Sequence, residues 1–369
     1  MLLSLSNVPR DYAWGSHTLL ADLAGRSPSA QPEAEVWFGD HPGDPADLDG
    51  AGTLDSVTGG KLPYLLKLLA AASPLSIQVH PTLEQARAGW ARESVLDVDD
   101  PSRNYRDGNH KPELIVALSE RFESLSGLRP LADTFRLLDV LGEAVEPLRA
   151  RLQTTTVRET IGWLLSGTAQ AVVDAIIAAV EQTSDAGEWT DTVRAVARIA
   201  STYPGDPGVV VALLMNYVVL RRGEGMFLHA GLLHAYLAGL GVEIMAASDN
   251  VLRGGLTPKR IDVPELLAIL DAEPALVPVL RPSVDGAITT YPADVPDFAL
   301  RRVTLSGDPL AIAVTGPAMV LATAGEVAVS GADAVAHHVA VGTAVFASEE
   351  ESSLTLSGVG EVFIAEPGC

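Results

Sequence analysis

The chain has 369 residues, 47% hydrophobic but only 5% aromatic, with a formal net charge of -22. That length allows two or three domains around a large core, and so acidic a chain argues against nucleic acid, whose phosphate backbone wants a basic face. No apolar run approaches the roughly eighteen residues of a spanning helix, which argues against a membrane. The opening Met1-Leu2-Leu3-Ser4-Leu5 carries no basic region, and the single Cys369 permits no internal disulfide, so the cytoplasm is the expected compartment.

Residues 1–60 read as short strands and turns. Glu35 to Gly39 predicts a strand with Glu35 and Trp37 on one face, ended by Asp40-His41-Pro42-Gly43. Lys61 to Ala72 is apolar and predicts another strand, because the next follows so closely. Ser76-Ile77-Gln78-Val79-His80-Pro81 alternates, placing Gln78 and His80 on one face and Ile77 and Val79 on the other. Thr82 with Gln85 three residues on has the spacing of a capping box, predicting a helix with Leu83, Ala86 and Trp90 as its apolar stripe. Ser94 to Asn109 predicts a loop over the site. It delivers the chain to Lys111 and Glu113, which share a strand face, with Leu114 and Val116 turned into packing.

From about Leu128 the period changes. Phe135, Leu137, Leu138 and Leu141, then Val172, Ile176, Ile177 and Val180, then Val193, Val196 and Ile199 recur at helical spacing. Residues 128–215 are therefore expected to form a helical scaffold between strand-rich regions. Strands return at Tyr217 to Leu220, at a segment carrying His234, and at a separate strand around Glu243. His229 competes with His234 as an inward imidazole. Asp249 and Arg253 offer a carboxylate and a guanidinium close together, with Lys259 and Arg260 just after. From Ala311 to Pro367 glycine-punctuated alternation predicts an antiparallel barrel or sandwich. The adjacent His337 and His338 would face opposite ways and are not expected to chelate.

Gln78, His80 and Glu113 offer amide oxygen, imidazole nitrogen and carboxylate, a set suited to zinc, with His234 a source for a fourth ligand. The competing view of the same residues is a surface hairpin with ordinary polar side chains. Lysine is scarce: only Lys61, Lys67, Lys111 and Lys259 occur, all near polar motifs.

Several longer stretches carry a family resemblance: Tyr12-Ala13-Trp14-Gly15, Ala34-Glu35-Val36-Trp37-Phe38-Gly39, Leu75-Ser76-Ile77-Gln78-Val79-His80-Pro81, Asn109-His110-Lys111-Pro112-Glu113, His234-Ala235-Tyr236-Leu237, and Ser248-Asp249-Asn250-Val251-Leu252-Arg253-Gly254-Gly255 continuing to Lys259. The chain resembles the type I, zinc-dependent mannose-6-phosphate isomerases of the cupin superfamily. The resemblance implies a mainly β fold of two cupin-like jelly-roll barrels with an inserted α-helical domain. The expected division is 1–127 and 216–275 for the catalytic barrel, 128–215 for the helices and 276–369 for the C-terminal barrel. It implies one zinc per chain on Gln78, His80, Glu113 and His234, and places Ser76, Lys111, Glu243, Arg253 and Lys259 around a small phosphorylated sugar. Trp14 and Tyr236, inside the matching motifs, are expected to face the substrate too. Ala13 stands where some relatives carry an acidic residue.

The implied reaction interconverts mannose 6-phosphate and fructose 6-phosphate through a cis-enediol, in a monomer or weak homodimer. Arg253, Lys111 and Asp249 are the expected catalytic groups: a fixed cation for developing negative charge, an ammonium on Glu113's face, and a carboxylate beside them. His110 faces away in an ideal strand. The alternatives are an isomerase of a related sugar or a metal-dependent sugar-binding cupin without catalysis.

Overall fold

The computed structural model describes all residues except 98, 99, 275, 276, 278 and 369. Cys369 and the expected boundary at 275/276 therefore lie outside the described residues. Among the described residues the strands form two nine-stranded sheets of antiparallel pairs, with helices between Leu131 and Leu213 interrupting the first.

The first sheet is organised on one thirteen-residue strand, His234–Ala246. Its second half lies between Tyr64–Ala71 and Glu113–Ala117, with Glu243 opposite Lys67 and Met245 opposite Glu113. Its first half pairs with Ile77–Val79 and with Phe122–Leu128. The exchange of partners occurs at a bulge between Tyr236 and Ala238. There Gly239 has φ +128°, and a Cβ on it would meet Phe122 at 2.8 Å, so glycine is required where the strand bends. Sequence alone suggested separate strands around His234 and Glu243. The glycines at 239 and 241 mark a bend inside one strand rather than a break between two.

The period-two alternation of these strands assigns each face a different neighbour. Leu66, Leu68, Leu114, Val116, Val242 and Ile244 turn outward onto Leu300, Met319, Leu321 and Phe363 of the second sheet. Ile77, Val79, Leu233, Ala235 and Leu252 turn outward beneath the helices, packing with Leu137, Val173, Ile176, Val196 and Val210. Both outer faces are thus sealed by apolar contact, and the residues between these positions point into a common interior.

In the second sheet Ala299–Ala313, Ser353–Glu366 and Ala318–Ser330 are adjacent. Its apolar face holds Val303, Ile312, Val320, Val327, Val345, Leu354 and Ile364. The strand Leu2–Ser6, which the expected division gives to the first barrel, runs instead in this sheet against Ala344–Ala347. Leu2–Ser6 alternates too briefly for sequence to choose between sheets.

The helix Leu83–Glu93 has the expected capping box. Its buried face is Ala86, Gly89 and Glu93, however, and Trp90 is 44% exposed. Gly89 lies so close to the Tyr105 ring that the neighbouring turn position cannot also face inward. No single helix among the described residues is long and apolar enough to cross a membrane.

Candidate active site

Strand register assembles the site. Gln78 lies opposite His234 on one side and Arg253 on the other, so three adjacent strands present these side chains in a row. His80 follows just beyond the strand's end, and Glu113 opens its own strand. The result is a buried triangle: His80 Nε2 is 3.2 Å from Glu113 Oε1, and His234 Nε2 is 3.5 Å from Glu113 Oε2. The ligand atoms of His80, Glu113 and His234 all lie within 4.8 Å of one another.

The two imidazoles are oriented from behind. His80 Nδ1 faces the carbonyl of Asn250 at 2.8 Å, and His234 Nδ1 faces that of Leu232 at 3.0 Å. A carbonyl can only accept, so each Nδ1 carries the proton and each Nε2 turns a lone pair inward. Nε2 of His80 is buried and has no hydrogen-bond partner. An orphaned acceptor of this kind is costly in a protein interior and fits a metal ligand. Burial lowers the His80 pKa to about 4, although Glu113 opposes the shift, so the ring is neutral and ready to ligate. Burial raises the Glu113 carboxyl, but the Lys111 charge and the two imidazoles beside it outweigh it and hold the group well below the usual range. Lys111, on Glu113's face as expected, places Nζ 2.8 Å from Oε1. Gln78 Nε2 donates to Ser76 Oγ at 3.3 Å, leaving the amide oxygen as its acceptor.

A second charged group lies deeper. Lys67 Nζ sits 3.5 Å from Glu243 and 3.8 Å from Glu35, with the Trp37 ring centroid 5.0 Å away. Trp37 Nε1 donates to Glu35 Oε2 at 2.7 Å, so Glu35 and Trp37 do share a face. Burial would lower the lysine pKa, but the carboxylates around it reverse that and hold it protonated. Burial raises Glu243, and the nearby Glu113 charge adds to it. Tyr236 is in the same interior, its hydroxyl buried without a partner, and Trp14 packs at the edge of the apolar cluster containing it.

Asp249 and Arg253 are not an ion pair. Asp249 contacts His41 Nε2 at 3.1 Å, and that hydrogen bond, acting against burial, holds the carboxyl below its ordinary value. Four residues apart on an irregular segment, the two side chains point to different neighbours. Arg253 instead lines a cleft of about 300 Å³ with Lys259, Arg106, Arg103 and Arg260. Burial and then Arg106 lower the pKa of Arg253; Arg253 and then burial lower that of Lys259. His229 is exposed and bonded to its neighbour's carbonyl, His110 is turned to Asp297 at 2.8 Å, and His338 faces the carbonyl of Val327.

Sequence reasoning did not assign Glu35, Lys67, His41, Asn250 or Arg106 to the site. For Lys67 a signal existed: it interrupts the run Tyr64-Leu65-Leu66-Lys67-Leu68-Leu69 in a chain with few lysines. Glu35, on one face with Trp37, and Asn250 both lay inside matching motifs without being singled out; His41 and Arg106 had no local signal, since their contacts are distant in sequence.

Residues 2–131 match the family model for the catalytic domain of type I phosphomannose isomerase. The chain is 35% identical over 388 residues to the mannose-6-phosphate isomerase of Escherichia coli, covering 97% of each. It is 33% identical over 355 residues to the human mannose-6-phosphate isomerase, covering 82% of each. A crystal structure of mannose 6-phosphate isomerase bound with zinc and yttrium superimposes with a TM-score of 0.91 at 34% identity, covering 100% of both chains. Identity sustained along nearly the whole chain, with the same fold over its full length, makes this chain a member of the type I mannose-6-phosphate isomerase family.

Proposed function

We propose that the chain interconverts mannose 6-phosphate and fructose 6-phosphate at one zinc held by Gln78, His80, Glu113 and His234. The observation that carries this is the convergence of two inward imidazole lone pairs, one of them orphaned, on a carboxylate. Bound zinc would supply a Lewis acid that polarises the sugar's C1–C2 oxygens. One carboxylate, one neutral amide and two neutral imidazoles leave such a site net positive, which favours an enediolate.

The remaining work falls to the chain's own groups. Arg253 stays charged, offers a planar fork, and with Lys259 holds the phosphate while Ser76 donates a hydroxyl. Asp249, kept ionised by His41, is the carboxylate offered to the C1–C2 proton. Lys111 stabilises the oxygen on which negative charge develops. Glu243, Tyr236 and Trp14 bound the sugar's side of the pocket. The net charge of -22 repels a phosphate dianion at long range, so recognition rests on this local basic cluster.

The same reading takes the fold as two cupin-type jelly rolls with an inserted helical domain, divided at 1–127, 128–215, 216–275 and 276–369, with Leu2–Ser6 lent to the C-terminal unit. It describes a cytoplasmic monomer or weak homodimer. Proton exchange in heavy water tests the chemistry: mannose 6-phosphate incubated with the protein should gain deuterium as fructose 6-phosphate forms, while unphosphorylated mannose should react very poorly. Absence of both exchange and product would refute the isomerase reading, and equal efficiency on the two sugars would remove the phosphate argument.

A further inference from the structure

The carboxylate of Asp249 faces one imidazole with both oxygens: His41 Nε2 lies 3.2 Å from Oδ1 and 3.1 Å from Oδ2. The other ring nitrogen identifies the tautomer. His41 Nδ1 lies 3.0 Å from the backbone nitrogen of Gly43, whose N–H can only donate, so Nδ1 is the acceptor and Nε2 carries the proton. The two imidazoles of the metal triangle are arranged the other way round, with the proton on Nδ1. The close approach depends on glycine at 43, because a Cβ there would press on Nδ1 at 3.2 Å and on Cε1 at 3.3 Å. A second ring proton, on Nδ1, would point straight at the Gly43 N–H.

The turn that presents His41 is fixed on both sides. Asp40, buried, accepts from Thr58 Oγ1 at 2.6 Å and from the backbone N–H of Leu62 at 3.0 Å, and Asp44 pairs with Arg10 at 2.9 Å. The His41 ring also meets Trp37 edge-on, with centroids 4.9 Å apart. Asp249 is secured at its backbone, where its N–H donates to Asp107 Oδ2 at 2.8 Å. Its side chain is 52% exposed against 13% for His41, so the contact leaves much of the carboxylate open to a ligand. Two observations connect that carboxylate with the interior. The charges of Lys111 and Lys67 act on it, adding to the larger effect of the His41 bond. The next residue, Asn250, gives its carbonyl to the metal-facing His80.

We infer that His41 is a positioning residue for the reaction: a donor of fixed tautomer that holds the Asp249 carboxylate in one orientation and takes no proton itself. This rests on the isomerase reading above, with Asp249 as its base, and deepens it. In that reading Asp249 takes a proton from one sugar carbon, becomes a neutral carboxylic acid, and returns the proton to the neighbouring carbon. The His41 N–H stays in place throughout, because its second nitrogen is already occupied by Gly43. The proton is therefore kept on Asp249 between the two carbons rather than relayed to the surface through the ring. A carboxylate free to rotate would satisfy the chemistry less often, since a base acts only at the geometry of transfer.

Steady-state kinetics and NMR on the zinc-loaded full chain test it. His41→Ala should lower kcat for mannose 6-phosphate about tenfold or more, the size of a lost hydrogen bond to a charged group, with KM and zinc content near wild type. His41→Gln places a neutral amide N–H close to the position of Nε2 and should recover most of the lost kcat. His41→Asn reaches only as far as Nδ1 and should behave like His41→Ala. In an Asp249→Asn background His41→Ala should cost nothing further, because the two residues act as one unit. Wild-type kcat in His41→Ala overturns the inference, as does His41→Gln falling as far as His41→Ala, or an undiminished cost in the Asp249→Asn background. If His41→Ala fails to fold, the Gln and Asn variants decide, and equal rates in the two refute it. Long-range proton–nitrogen NMR of the ring, its signals assigned by their loss in His41→Gln, should show Nε2 protonated and Nδ1 bare at neutral pH, with both shifted by Asp249→Asn. If the wild type turns over no mannose 6-phosphate, or Asp249→Asn keeps full turnover, the functional reading fails separately. The NMR still reads the contact: a proton on Nδ1, or signals indifferent to Asp249→Asn, refutes it.

Discussion

The two sheets use the same alternation and fill it oppositely. In the second, one face of Ala299–Ala313, Ala318–Ser330 and Ser353–Glu366 buries Val303, Ile312, Val320, Val327, Leu354 and Ile364, and close packing of aliphatic side chains holds it together. In the first, the inward face carries Lys67, His80, Glu113, His234 and Glu243, all buried. Those charges are tolerated because each has an opposite charge or an oriented acceptor nearby and because both outer faces are sealed by apolar contact. A sheet can thus be stabilised from outside while its interior is kept for chemistry.

Removing a metal-facing imidazole should expose that contrast most strongly. His80→Ala should lose stoichiometric zinc, measured by elemental analysis, and at least about a hundredfold in kcat/KM, since a Lewis acid contributes several kcal/mol to the transition state. Full activity with no bound metal would mean that the triangle is only structural. In the second sheet the effect should be of another kind. Leu354→Ala, at a fully buried position, should cost about 2–5 kcal/mol of stability in denaturant unfolding, while leaving KM and kcat unchanged below the transition. A matching loss of activity at low temperature would show that the second sheet does shape the site.

The smallest effect separates structural from chemical carboxylates within the first sheet. Glu123 accepts from Arg121 Nε at 2.9 Å, from Tyr217 at 2.9 Å and from Arg198 on the helix Thr190–Thr202. Burial raises its carboxyl, but these donors outweigh it and lower the pKa below the ordinary 4.5. A depressed folded pKa contributes stability above the unfolded value and loses it as pH falls through the folded one. Glu123→Gln should therefore destabilise at neutral pH by about 1 kcal/mol or less, given the solvent screening of its partners, and the difference from wild type should vanish in acid. A pH-independent difference would assign the effect to packing.

Much of this was legible in the sequence for physical reasons. Alternation around Gln78 and His80, helical spacing from Phe135 onward and the Thr82–Gln85 cap are local signals, and the structure contains each. Lys111 was placed on Glu113's face by the same alternation. What stayed hidden depends on contacts between distant segments. His41 reaches Asp249 across 208 positions, and Asn250 reaches Arg106 across 144. The exposed Trp90 misled because a large apolar residue at the right spacing does not reveal which side of the helix a tyrosine already occupies. Glycine at 239 misled because a bend and a break look alike until the partner strands are known.

The placement of Leu2–Ser6 also bears on how the chain reaches its native state. The strand pairs with Ala344–Ala347, and the Met1 ammonium meets Glu351, 350 positions away, at 2.6 Å. During synthesis this segment emerges long before Ala344–Ala347, and can meet only the two-residue strand Asp47–Leu48 in the meantime. The second sheet cannot close until Ala344–Ala347 has been made, whereas the helices between Leu131 and Leu213 contact near neighbours and can form early. Until then the nascent chain exposes a strand of leucines and serines paired only at Leu5 and Ser6, a template for intermolecular pairing. The vulnerable interval in this protein's life is therefore its biogenesis, and a stalled or truncated chain lacking the last strands would be left with that edge open.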